Sequence, residues 1–318
     1  MNLIDGAVII EVRMYAFGVY VALGALCAVT VLAFITNYMR LKKGTAELTA
    51  LLSGICGLVC SRITFCLLNQ ELGKLTPLYI WPQLNSGGWS MFGLIGGVFL
   101  GGWISARITR QKTGPILDAL SLSVLPLIAA ERIGENRIGF FDISRVLDSP
   151  LLKDTFLAVG KDDEYYLATY YIAAAVAVAL FVALTLIWYR HESDGKLTIC
   201  FLLLFGAASI ITESLRYDFF LSVSFVGLQQ VAAALTLALG VILSIRRSNR
   251  PKSGLAAAAV ISLVVMVGAV IGLEFALDRT VWSKVLIYLG MIMIAAIPAT
   301  LGMIILFRNT VKKGTEQA

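Results

Sequence analysis

The sequence predicts an all-α polytopic membrane protein of about nine transmembrane helices, N-terminus outside and C-terminus cytoplasmic, and composition, run length and charge placement lead there. Of 318 residues, 58% are hydrophobic and only 14% charged, and the mean hydropathy is +0.85. Soluble domains run at roughly 45–50% apolar and about 25% charged, so the surplus must face lipid rather than fill one oversized core. The apolar residues also form uninterrupted stretches of the length, about 20 residues, that a helix needs to cross roughly 30 Å of hydrocarbon. Barrel strands would alternate over about 10 residues, which excludes a transmembrane β-barrel.

Nine stretches qualify: 14–38, 47–67, 89–106, 114–131, 165–189, 197–215, 226–245, 254–277 and 284–307. Their orientation follows from Lys and Arg, which accumulate in cytoplasmic loops. Arg40, Lys42, Lys43, Arg107, Arg110, Lys112, Arg190, Lys196, Arg246, Arg247, Arg250, Lys252, Arg308, Lys312 and Lys313 all fall on one side, 15 of the 26 basic residues. The other side holds ten, half of them in the single long loop 132–164. The formal charge of +6 is thus explained by membrane orientation, and no nucleic-acid partner is expected.

Along the chain, the first stretch follows Glu11 and Arg13, carries Tyr15 at its outer start as an interfacial aromatic, and lacks a small-residue cleavage site. It reads as a retained span rather than a signal peptide. Cys27, Cys56, Cys60, Cys66 and Cys200 all lie in apolar stretches with no CxxC pair, so packing is their expected role, and neither a metal nor a cofactor is expected. The second stretch contains Arg62. Trp81, Pro82 and Trp89 suit an interface beside the loop at 68–88, as Tyr165, Tyr166, Tyr170 and Tyr171 do before the fifth stretch. The third stretch is glycine-rich, with Gly97 and Gly101 on one helix face, a pattern for close helix packing or for admitting a lipid chain.

Charges inside spans cost several kcal/mol and are therefore candidates for paired or functional groups. Asp118 begins the fourth stretch, where Arg62 and Asp118 are read either as a structural pair or as site residues. Glu131 and Arg132 end that stretch, followed by Glu135. Glu213 and Arg216 end the sixth, three residues apart on one helix face. They form either a local ion pair at the interface or a phosphate clamp in which Glu213 orients Arg216, since a planar guanidinium donates two parallel hydrogen bonds to phosphate. Gln229 and Gln230 open the seventh stretch and can bond across helices or hold a headgroup. His191 is the only histidine and lies in a cytoplasmic loop.

Several of these segments resemble the bacterial prolipoprotein diacylglyceryl transferase family. Val12-Arg13-Met14-Tyr15 resembles the family's opening segment, Ser61-Arg62-Ile63 its Gly-Arg-Ile/Leu, and Ser86 to Gly96 its glycine-rich third-helix segment, which includes Gly93 and Gly96. Asp118 with Arg132-Ile133-Gly134 fourteen residues on matches in type and spacing, and Glu213-Ser-Leu-Arg216-Tyr-Asp218 followed by Gln229 resembles the Glu-x-x-Arg segment. These matches keep their order over residues 10–245. The resemblance implies a seven-helix enzyme of the bacterial cytoplasmic (inner) membrane that takes phosphatidylglycerol, moves its diacylglyceryl group onto a lipobox cysteine thiol and releases glycerol phosphate. It assigns phosphate binding to Arg132 and Arg216 and substrate contacts to Tyr15, Arg62, Asp118, Gly93, Gly96 and Gln229, while from their own chemistry Glu135, Glu131 or Glu213 are candidates for an acid, base or orienting role if burial raises a carboxyl pKa. Expected partners are the phospholipid and a prolipoprotein or another membrane protein. On this reading residues 1–250 form the transferase-like domain, with the external loop 132–164, and 251–318 add two helices.

The chain departs from that pattern in two places. The family carries a His in the third-helix segment, where this chain reads Met91-Phe92-Gly93, and after Arg132 the chain reads Gly134-Glu135-Asn136 in place of Gly-Asn-Phe. A catalytically inactive phospholipid-binding or assembly protein is therefore the second expectation. A small-molecule transporter using Arg62 and Asp118 is the third, although no repeats are visible.

Overall fold

The computed structural model describes residues 3–68, 89–136, 153–161, 163–190, 194–216, 222–223, 226–248, 253–280 and 282–315. Among them are nine helices long and apolar enough to cross a membrane, in agreement with the predicted all-α, nine-span architecture. They are α1 (Leu3–Tyr38), α2 (Thr45–Leu68), α3 (Met91–Thr109), α4 (Thr113–Glu135), α5 (Thr169–Arg190), α6 (Lys196–Ser214), α7 (Leu228–Arg247), α8 (Ser253–Arg279) and α9 (Lys284–Thr315). Trp81, Pro82, His191, Tyr217 and Asp218 lie outside the described residues.

The fifth span starts later than its hydropathy predicts. Residues Ala158–Lys161 (β1) and Glu164–Leu167 (β2) pair as an antiparallel hairpin with Val159 opposite Tyr166. Tyr165 and Tyr166 are as suited to a strand as to an interfacial helix end, and Asp163 turns the chain at φ 66°, a left-handed conformation that Asp tolerates. The helix then begins at Thr169. Ser222–Val223 (β3) and Val226–Gly227 (β4) make a second small ribbon, so the seventh span likewise opens two residues late.

The chain divides into two units: Met1–Asp194 with Leu215–Phe220, and Gly195–Ser214 with Leu221–Ala318. In the first, α2 and α3 lie against each other through glycine. A Cβ on Gly101 would stand 2.5 Å from the Leu52 carbonyl oxygen, and one on Gly97 would run into the Cys56 carbonyl. Backbones this close let small polar side chains bond across: Thr49 and Ser105 share a hydrogen bond of 2.7 Å, Ser53 Oγ donates to the Val98 carbonyl at 2.9 Å, and Ser61 Oγ to the Ser90 carbonyl at 2.8 Å. This is the close-packing use of the Gly97 and Gly101 face. Ser90 also caps α3, accepting from Gly93 N at 3.2 Å. At the other end Arg110 takes φ 53° and Gln111 N closes back on the Ala106 carbonyl at 3.0 Å, a left-handed helix stop.

The centre of this unit is α4, which packs against α1, α3 and α5. Its turns bury Ile116, Ala119, Leu120, Leu122, Val124, Leu125 and Ile128. α1 crosses it with Phe17 and Tyr20 over Gly134. The opposite stripe of α1, Tyr15, Val19 and Leu23, is exposed.

In the second unit the most buried helix is α6, with Phe201 and Phe205 stacked at 5.1 Å between centroids. α7 approaches it at Gly206, where a Cβ would lie 2.6 Å from Leu237 N. α8 and α9 pack around Ala276, Leu277, Ile287 and Met291, with Ile211 of α6 against that cluster. A polar tie joins these helices: Gln230 Nε2 donates to Glu274 Oε1 at 2.6 Å and to the Ile210 carbonyl at 3.3 Å. The last two helices therefore share a unit with α6 and α7.

Candidate functional site

Charged side chains gather in the first unit at the C-terminal end of α4. Arg132 and Glu135 are three residues apart on that helix, hence on one face, and Arg132 Nη1 donates to Glu135 Oε1 at 2.8 Å. Arg132 is 2% exposed and Glu135 6%. The same carboxylate oxygen accepts from Arg216 Nη1 at 3.2 Å. Glu131, adjacent on the helix, places Oε2 3.6 Å from Arg132 Nε. Arg132 Nη2 reaches Met91 Sδ at 3.2 Å, a weak acceptor that takes a hydrogen without neutralising charge.

The arrangement has a direct electrostatic cause. Two guanidinium groups side by side repel, and burial deprives each of water. One carboxylate between them offsets both penalties and sets their separation. Arg132 also lies in the last turn of α4, where the helix dipole favours a cation. Arg216 has Glu135 as its partner among the described residues, and its planar guanidinium carries five N–H donors in a fork whose geometry matches a phosphate or a carboxylate.

The edge of the cluster is set by α5. Asn136 Nδ2 donates to Tyr171 Oη at 3.1 Å, and Tyr170 Oη donates to Asn136 Oδ1 at 3.2 Å. The two tyrosines, interfacial by sequence, thus anchor the residue that follows α4.

Arg132, Glu135 and Arg216 are the predicted site residues that the structure brings together. Arg62, 7% exposed, stands in α2 with its guanidinium 5.8 Å from the Trp89 ring and 6.0 Å from that of Phe65. Asp118 is fully buried on the same helix as Arg132 but fourteen residues earlier, about 21 Å along the axis at about 1.5 Å per residue. Tyr15 is 70% exposed on the α1 stripe that faces away from α4. Gly93 packs on α2, where a Cβ would meet Thr64 and the Cys60 carbonyl, whereas nothing lies within 4 Å of a Cβ on Gly96. Glu213 and Gln229 belong to the second unit, where Glu213 is buried and Gln229 Oε1 is buried without a hydrogen-bond partner. Neither the contact of Met91 with Arg132 nor a role for Glu274 follows from the sequence pattern. Glu274 is 3% exposed, and its sequence signal was a lone acid in an apolar span.

The fold and the site together define a class, a multi-pass α-helical membrane protein with two arginines sharing one buried carboxylate at one end of a central helix. A family model for prolipoprotein diacylglyceryl transferase matches residues 6–246, and the chain belongs to that family. The match covers α1 to α6 and nearly all of α7, and α8 and α9 follow it. No curated protein matches the chain.

Proposed function

We propose that the protein transfers a diacylglyceryl group from phosphatidylglycerol to the thiol of a lipoprotein-type cysteine, in a bacterial cytoplasmic membrane. The observation that carries the reading is the shared carboxylate: Glu135 Oε1 accepts from Arg132 and Arg216 at once, and so holds two cations where one phosphodiester can meet both. In the reaction the acceptor sulfur attacks the glyceryl carbon that carries the phosphate ester. The C–S bond forms, the C–O bond breaks, and glycerol phosphate leaves with the bonding electron pair while the thiol proton passes to a base or to water. Negative charge grows on the departing phosphate oxygen. Preorganised guanidinium donors stabilise that charge without reorganising, an effect of about 10²–10³ in rate per donor in comparable sites. Glu135 positions both arginines and keeps them from repelling apart.

The test is transfer from labelled phosphatidylglycerol to a lipobox peptide by the full-length protein in vesicles. Transfer by the wild type, lowered about 10²–10³-fold by Arg216→Leu, is the expected result. Absence of transfer by the wild type, or full activity in both Arg132→Leu and Arg216→Leu, overturns the reading.

One observation favours a phospholipid-binding protein without turnover. Arg132 reaches the thioether of Met91 on α3, which takes up no proton, in the segment where the family carries its His. That alternative predicts bound phospholipid and a co-purifying membrane partner with no labelled peptide.

A further inference from the structure

The proposed function employs Arg132, Arg216 and Glu135 and leaves one charged side chain at this end of α4 without a role. Glu131 has a quarter of its side chain exposed, and its Oε2 lies 3.6 Å from Arg132 Nε. That distance serves Coulomb attraction but is too long for a hydrogen bond. The oxygen is itself buried and has no hydrogen-bond donor. Glu135 is the opposite case, with Oε1 taking N–H groups from both arginines. Buried polar atoms are nearly always satisfied, and one that is not, beside a ligand site, marks a place for a donor brought by the ligand.

Resting on the reading that a phospholipid headgroup binds at the two arginines, we infer that Glu131 selects that headgroup by accepting a hydrogen bond from its hydroxyl. The arginines supply donors only and suit the phosphate. A glycerol headgroup also carries hydroxyl donors two and three carbons beyond the phosphate ester oxygen, and these need an acceptor within a few ångströms of the guanidinium groups. Glu131 is the carboxylate with that capacity unspent. Charge makes the hydroxyl matter more. Glu131 and Glu135 offset part of the positive charge that Arg132 and Arg216 present, so hydrogen bonds complementary to the headgroup carry more of the recognition. A phosphodiester without a hydroxyl leaves the Glu131 oxygen unsatisfied, and a site built to bond a substrate hydroxyl discriminates strongly against the analogue that lacks it.

The test compares phosphatidylglycerol with phosphatidylmethanol, which has the same phosphodiester and single negative charge but no headgroup hydroxyl. Binding to the full-length protein in zwitterionic-lipid nanodiscs is measured with matched acyl chains. The wild type binds phosphatidylglycerol about 10-fold or more tightly than phosphatidylmethanol. In Glu131→Leu the ratio falls to near one. The ratio is the readout because removing a carboxylate beside two arginines raises the affinity of any anion. Arg216→Leu weakens both lipids and leaves the ratio in place. Equal wild-type affinities for the two lipids, or a preference that survives in Glu131→Leu, overturn the inference while the phosphate site stands. Failure of either lipid to bind the wild type overturns the phosphate reading and the inference with it. The wild-type comparison decides the matter without any variant having to fold.

Discussion

Arg216 Nη1 donates to Glu135 Oε1 at 3.2 Å across 81 residues of sequence. The oxygen it uses already accepts from Arg132, so one atom, Oε1 of Glu135, joins two guanidinium groups. Glu131 differs, its Oε2 standing 3.6 Å from Arg132 with no hydrogen-bond partner.

Removing the carboxylate should therefore harm structure and binding together. Glu135→Ala leaves Arg132, 2% exposed, without its closest counter-ion, and breaking a buried pair from one side costs about 3–5 kcal/mol. The expected outcome is a lowered unfolding temperature in detergent together with loss of phospholipid binding. Glu135→Gln, which keeps the shape and one acceptor oxygen, should recover most of the thermal stability but not the binding.

Arg216→Lys tests the fork rather than the charge. Lysine keeps the cation but presents a single point of donors in place of the planar pair. Phosphatidylglycerol affinity should drop about 10-fold, the equivalent of one charge-assisted hydrogen bond, with the unfolding temperature close to wild type because the side chain is partly exposed (15%). Affinity unchanged in this variant would show that the fork is not used.

Glycines of α3 divide into two classes by what surrounds them. Gly101→Leu drives a side chain into the Leu52 carbonyl and Gly97→Leu into that of Cys56; backbone cannot yield as a flexible side chain does, and overpacking of this kind costs about 1–3 kcal/mol or more. Gly96→Leu points into open space and should be neutral or slightly stabilising, since leucine is the better helix former. Thermal unfolding of the three variants side by side checks the contrast.

In the second unit Gln230→Leu removes the donor to Glu274 and leaves that carboxyl buried with a lost partner. The expected destabilisation is about 1–3 kcal/mol, with Gln230→Glu worse still because it sets two carboxyls against each other. Limited proteolysis of the α7–α8 connection should accelerate in both variants.

The nine spans were legible because length and hydropathy suffice to mark a membrane crossing. Their edges were less so where aromatic residues suit two structures: Tyr165 and Tyr166 fit an interfacial helix end, and the hairpin with Val159 and Gly160 takes them instead. The pairing of charges was legible only within a turn of helix. Arg216 pairs with Glu135 across 81 residues, a partnership that no spacing rule connects. Helix phase was hidden for a similar reason. α1 is apolar around its whole circumference, so nothing in the sequence separates the stripe of Phe17 and Tyr20, which faces α4, from that of Tyr15 and Val19, which does not. Glu274 was readable as a lone acid in an apolar run, but its partner Gln230 was not.

Leu215–Phe220 returns the chain to the first unit after α6 has been laid down in the second, and this gives the site a birth order. Arg132 and Glu135 are translated together and can pair as soon as α4 forms. Arg216 emerges from the ribosome 81 residues after Glu135, about 4–16 s later at about 5–20 residues per second. The pair of guanidinium groups on Glu135 Oε1 is therefore complete only when its second arginine arrives.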